Sequence, residues 1–259
     1  MNEREKNAIK IIKNILQTER QAVGIKFLKT KEEYDLEDAI EPVKKFAYCV
    51  AVQSATKGHS IKLNCETSGC SGSTRALGLT APISEYYTGE SGYRLGLYKD
   101  IELAKNVANN FKIFHKTSNY GVLIKPLEKF DIAPDVVIII AEPYSIMRVI
   151  QGYSYDFGID NSYNMSGNQG ICIECTSYPF IENTLNISFL CSGTRHHAHW
   201  SKTEAGVGMP FSVFLKVVDG LCNTLNSVEN DENKKLIINN LKNNSEDYSN
   251  IMIGTAYYL

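Results

Sequence analysis

A short segment occurs twice in this chain, and any fold it adopts has to accommodate both copies. Cys70-Ser71-Gly72-Ser73-Thr74-Arg75 returns as Cys191-Ser192-Gly193-Thr194-Arg195 with one residue deleted. The surroundings match as well. Each copy follows a short strand-like segment, Ile61 to Leu63 or Ile187 to Phe189, and each has a further cysteine upstream, Cys49 or Cys172. Upstream again lies an aliphatic strand, Val23 to Leu28 or Val136 to Ala141. Self-similarity in this order signals two related units within one chain. The expected fold is therefore α+β, two pseudo-repeated α/β halves packed about a pseudo-twofold axis. The halves are approximately residues 20–120 and 121–228 of a single domain spanning 1–259, with a helix at each terminus.

Periodicity fills in the elements. Ile9, Ile12, Ile15 and Leu16 recur at helical spacing and predict an amphipathic first helix. Phe46 to Thr56 reads as a helix ended by Lys57-Gly58. The unbroken run Val136-Val137-Ile138-Ile139-Ile140-Ala141 predicts a strand buried on both faces. Between Thr80 and Tyr98, glycines alternate with Tyr86, Tyr87, Tyr93 and Tyr98, which predicts a loop or hairpin whose tyrosines can line a pocket. Gly152 to Gly170 reads as a lid or surface loop and Phe211 to Val228 as a helix, with Leu236, Ile237, Ile238 and Leu241 anchoring a last one.

The chemistry lies in the seven cysteines, an odd number in a chain too large to need disulfide staples. If the two Cys-Ser-Gly turns face one another, Cys49, Cys70, Cys172 and Cys191 come together from remote segments as a metal ligand set. Fe–S clusters and structural zinc both take about four thiolates. Ser71, Gly72, Ser192 and Gly193 would let backbone N–H groups approach sulfur, and Arg75 and Arg195 would offset thiolate charge. Cys65 and Cys175 are substitutes within this set, the latter because Cys172 and Cys175 have chelating spacing, while Cys222 reads as core. His196, His197 and His199 beside Cys191 are expected at the rim of the site, and Trp200 reads as core or pocket wall. Glu174 and Glu204 are candidate acids or bases that no pattern pairs. The phosphate-binding glycine motifs, His-Glu-x-x-His and Gly-x-Ser-x-Gly are all missing, so nucleotide, zinc-hydrolase and serine-hydrolase chemistry have no motif behind them.

Charge narrows the partners. With 27 basic against 29 acidic residues, the net charge of -2 gives no electrostatic reason to bind nucleic acid or an anionic membrane. No apolar run approaches the roughly 20 residues of a membrane span, and the N-terminus lacks a secretory pattern, so the expected location is the cytoplasm.

Several segments in order carry a family likeness: Ala22-Val23-Gly24-Ile25-Lys26-Phe27, Tyr48-Cys49, Cys70 with Ala76-Leu77-Gly78, and Pro134-Asp135-Val136-Val137 with Met147. Cys172-Ile173-Glu174, Leu190 to Arg195, and Val207-Gly208-Met209-Pro210 continue it. In these the chain resembles a family of archaeal and anaerobic bacterial proteins catalogued as domain of unknown function 169. The resemblance supports the placement of the four cysteines and implies no activity. Cys65 and Cys175 depart from the simplest form of its pattern.

The reading that follows is an iron–sulfur protein of anaerobic metabolism, with a 4Fe-4S cluster serving electron transfer or binding a small substrate. Its partners would be a small molecule or a redox protein, with homo-oligomerisation left open. The alternatives are a zinc-stabilised or metal-free protein that binds a small ligand in the Tyr-lined cleft, and an interaction subunit with structural cysteines.

Overall fold

The computed structural model describes residues 1–159 and 163–224, together with Lys235 and Asn239. The last helix expected around Leu236 to Leu241 lies outside the described residues. In chain order the elements are α1 (Glu3–Leu16), β1 (Val23–Leu28), α2 (Lys31–Leu36), α3 (Tyr48–Ala55), β2 (Ile61–Asn64), α4 (Ser71–Ala76), α5 (Ser84–Tyr87), α6 (Glu90–Arg94), α7 (Ile101–Asn110) and β3 (Gly121–Pro126). A short 3₁₀ turn then leads to β4 (Val136–Ala141), α8 (Pro143–Phe157), a π-helix (Gly170–Ser177), α9 (Tyr178–Glu182), β5 (Asn186–Ser188), α10 (Ser192–Ala198), β6 (Ala205–Pro210) and α11 (Phe211–Asn223). The fold is mixed α+β around one six-stranded sheet, ordered β2-β3-β1-β4-β6-β5, with every neighbouring pair antiparallel.

The aliphatic run of β4 sits at the sheet centre because both of its faces are covered. Val137 and Ile139 point to one layer, with Ile9, Ile12 and Ile15 of α1 and with Val149, Phe214 and Val217 of α8 and α11. Val136, Ile138 and Ile140 point to the other, with Ala51, Val52 and Ala55 of α3, Ile171 and Cys175 of the π-helix, and Trp200. This is the period-two alternation of a strand. Each isoleucine so buried contributes about 2–3 kcal/mol. In the first layer α8 and α11 touch backbone to backbone, since a Cβ on Gly220 would lie 2.0 Å from the Gly152 carbonyl oxygen. Among the described residues no helix is long and apolar enough to cross a membrane.

Three segments differ from expectation. Thr80 to Tyr98 is no hairpin but holds the short helices α5 and α6, joined at Gly89, whose φ of +84° and contact with the Lys105 backbone exclude a side chain. The expected loop after Gly152 begins later, because α8 runs on to Phe157. Ala205 to Pro210 forms β6, a strand that the period reading leaves out.

Candidate functional site

Four elements bring the thiols of Cys49, Cys70, Cys172 and Cys191 to one side of the sheet. Cys70 is the N-cap of α4 and Cys191 the N-cap of α10, so the repeated Cys-Ser-Gly segment starts a short helix both times. Cys49 is the second residue of α3, and Cys172 the third of the π-helix. The packing crosses between the copies: α3 rests on α10, and the π-helix rests on α4. Tyr48 Oη and Thr176 Oγ1, 3.0 Å apart, join α3 to the π-helix.

Residues 169 and 170 tie the two turns together. A Cβ on Gly72 would lie 3.7 Å from Cys70 Sγ and 3.8 Å from Gln169 Oε1, and one on Gly170 would lie 2.7 Å from the Cys191 nitrogen. Thr194 links two thiols directly. Its backbone N–H donates to Cys191 Sγ at 3.4 Å, its side chain hydrogen-bonds the Cys49 thiol, and its Oγ1 accepts from Trp200 Nε1 at 3.1 Å.

The thiols feel one another. Burial pushes Cys49 above its ordinary value, the Thr194 hydrogen bond opposes this, and the charges of Cys70 and Cys191 add to the rise. Cys172 is pushed well above its ordinary value by burial first, then by Cys70, Cys191 and Cys49. Like charges gathered in a partly apolar pocket favour the neutral thiol, so metal binding here has to expel protons. Among the described residues no three His, Cys, Asp or Glu side chains converge closely enough to hold one metal ion.

The other sequence candidates divide. Cys175 is fully buried, and a Cβ on Gly206 would lie 3.0 Å from its sulfur. Burial first and then the Glu174 charge push its thiol well up. Cys65 is exposed in the turn after β2, and Cys222 packs with the layer on the opposite face, its thiol raised to about 11 by burial and Asp219. Ser71, Gly72, Ser192 and Gly193 form the first turns of α4 and α10. His196, His197 and His199 are exposed, and Trp200 is buried beneath Arg20, whose guanidinium lies 4.8 Å from the ring centre. Glu174 and Glu204 both have partners. Glu174 is buried, accepting from Ser166 N at 2.7 Å and from Ser188 Oγ, and so fastens the 163–169 segment to β5. Glu204 pairs with Arg20.

The two matched arginines have different surroundings. Arg195 donates to the carbonyls of Phe189 (2.8 Å), Glu204 (2.8 Å) and Ser201. The Arg75 side chain makes no hydrogen bond or ion pair among the described residues, and its Nε is buried without a partner there. Its guanidinium instead lies 4.7 Å from the centre of the Tyr86 ring. Sequence reading names Tyr86 as one of four tyrosines able to line a pocket, and nothing in it singles Tyr86 out from the other three. Of those, Tyr93 is exposed and Tyr87 meets His115 Nδ1 at 3.1 Å. A separate cavity of about 220 Å³ opens on the α1 side, lined by Ile9, Ile12, Leu16, Leu127, Ile139 and Gln21.

Comparison with known proteins agrees with the segments quoted above. An uncharacterized protein of Methanocaldococcus jannaschii is 25% identical over 224 residues, covering 85% of this chain and 94% of that protein. No solved structure matches the chain. Residues 11–220, which include all four thiols and both arginines of the repeated turns, match the family DUF169, described as uncharacterised ArCR, and to that family the chain belongs.

Proposed function

We propose that the protein holds an iron–sulfur cluster, 4Fe-4S in type, on Cys49, Cys70, Cys172 and Cys191, and that it serves electron transfer or small-substrate binding in the cytoplasm of an anaerobe. The observation that carries this reading is the gathering of four thiols from four separate segments around residues 169–172, close enough that the charges of Cys70 and Cys191 act on both Cys49 and Cys172. Four soft ligands spread over one patch suit a multinuclear centre better than a single zinc ion, which draws its ligands to one point. When bound, such a cluster supplies one-electron chemistry tuned by charge and by hydrogen bonds to sulfur. The chain's own part is to seat it: the Thr194 N–H and hydroxyl reach two of the thiols, and Ile171 and Leu190 of the adjoining core exclude water.

The same reading includes a pseudo-twofold repeat. The strand order supports it, because β2-β3-β1 on one side of the central pair is matched by β5-β6-β4 on the other. The crossed contacts of α3 with α10 and of the π-helix with α4 have the same symmetry. On this view β3 closes the first half, and the join falls between residues 127 and 135 rather than at 121.

Anaerobic purification followed by iron, acid-labile sulfide and zinc determination tests the proposal. A brown protein with several irons per chain, bleached by dithionite, is the expected result; a colourless one with neither iron nor sulfide after reconstitution defeats it. A second reading, small-ligand binding without metal, is favoured by the cavity on the α1 side, where buried Gln21 Oε1 has no hydrogen-bond donor among the described residues. Thermal shift with a metabolite panel on colourless protein is its test.

A further inference from the structure

Arg75 and Tyr86 stand together with their polar atoms unspent. Tyr86 is only 7% exposed, and among the described residues its buried hydroxyl has neither donor nor acceptor; Arg75 Nε is buried in the same condition. Both cases are unusual, since a buried polar group without a partner loses its bonds to water and gains nothing in return. The stack on the ring fixes the guanidinium plane but supplies no negative charge. The charges that act most on Tyr86 are those of Arg75, Cys172, Tyr87 and Tyr98. Tyr86 also shares a small core with Ala76, Ile173 and the flank of Cys172, which sets the pair beside the thiols.

We propose that Arg75 and Tyr86 bind the carboxylate group of a small organic acid next to Cys172. A guanidinium presents parallel N–H donors that match the two oxygens of a carboxylate, and the phenol adds a third donor. One cation and one neutral donor balance a single negative charge, which favours a carboxylate over a phosphate dianion. The proposal rests on the cluster reading in one respect only: with a cluster in place, the bound acid lies beside a redox centre and is its substrate. Binding itself requires no iron.

Calorimetric titration of the anaerobically purified protein with acetate tests this, with inorganic phosphate as a second arm and iron measured on the same samples. Acetate is expected to bind saturably and more tightly than phosphate. Tyr86→Phe should weaken acetate at least about tenfold, the usual worth of a hydrogen bond to a charged group. Arg75→Gln should abolish binding, and Cys222→Ser should leave it unchanged. If Arg75→Gln does not fold, Tyr86→Phe carries the test. Equal acetate affinity in wild type and Tyr86→Phe overturns the proposal, as does absence of saturable binding or tighter binding of phosphate. Acetate bound normally by iron-free protein upholds this site while the cluster reading fails; iron retained without acetate binding does the reverse.

Discussion

The Cys70 and Cys191 turns begin with the same residues and end in different states. Around Cys191 nearly everything is committed: Arg195 holds three carbonyls, Thr194 bonds Cys191, Cys49 and Trp200, and Leu190 is held at φ +61°. A bulky residue in that region stores about 1–3 kcal/mol of strain, kept only where the surroundings over-determine it. Around Cys70 the preceding residue is Gly69 with no positive φ, Cys70 is exposed, and among the described residues the Arg75 side chain has no partner beyond a ring face. The second copy is scaffold, and the first keeps donors in reserve. One sequence has been put to structural use in one place and left available in the other.

The hardest test of this contrast is whether the turns are nonetheless equal as ligand donors. Cys70→Ser and Cys191→Ser, like Cys49→Ser and Cys172→Ser, should each lose most of the iron, because a hydroxyl is a poor substitute for a thiolate at iron. Cys175→Ser and Cys222→Ser should keep it. Iron analysis of reconstituted variants decides, and unchanged iron in both Cys70→Ser and Cys191→Ser sinks the ligand assignment.

Stability should separate what iron does not. Arg195→Gln leaves carbonyls of Phe189, Ser201 and Glu204 short of donors and should cost about 3 kcal/mol in urea unfolding. Arg75→Gln should cost about 1 kcal/mol or less, the worth of a cation over a ring. Similar losses in the two would mean that the turns are not differently employed. A smaller effect is expected for Thr194→Val, about 1–2 kcal/mol for the lost Trp200 and Cys49 hydrogen bonds. Its position in the first-copy counterpart is held by Ser73 and Thr74, whose hydroxyls bond the Cys70 and Ser71 carbonyls and the Ser68 and Thr80 hydroxyls but no thiol and no tryptophan, so Thr74→Val should be milder.

The smallest effect is one of pH. Burial alone would raise the Glu204 carboxyl, but hydrogen bonds from Arg20 and Ser201 and the charges of Arg20 and Arg195 bring it below its ordinary 4.5. A lowered folded-state pKa means that the stabilisation is fully present above the unfolded value and is lost as pH falls through the folded one. The stability gap between wild type and Glu204→Gln should therefore close on acidification below 4.5 and stay constant from there to neutrality. A gap that widened in acid would mean that Glu204 is not the charged strut of the second turn.

How much of this was legible follows from where the determinants lie. The β4 run and the helical spacing of α1 are local patterns, and both led to elements at the expected places, whereas the doubled Cys-Ser-Gly segment, read as a turn, starts a short helix each time. β6 was hidden because its glycines mask alternation. Their meaning is steric, since a Cβ on Gly208 would come within 2.0 Å of the Cys175 carbonyl oxygen, and only the folded neighbour reveals that. Tyr86 was hidden for a similar reason: its distinction from Tyr87 and Tyr93 is the arginine above it, which comes from another helix. The unequal arginines were beyond reach, because identical neighbours in sequence say nothing about which carbonyls lie opposite.

The helix type at residues 170–177 decides the fate of the Cys172-Ile173-Glu174-Cys175 spacing. On an α-helix, residues three apart share a face and their sulfurs could clasp one metal. Here the Glu174 N–H reaches back to the Gln169 carbonyl, a five-residue span that widens the turn. The wider turn splays the two cysteines, one toward the thiol cluster and the other into the groove that Gly206 and Gly208 leave open in β6. A pair that reads as a pincer is thus separated into a jaw and an anchor. Removing one residue to restore ordinary helical winding would turn the anchor toward the jaw, pull it from its groove, and re-create a chelate that the wild-type chain has taken apart.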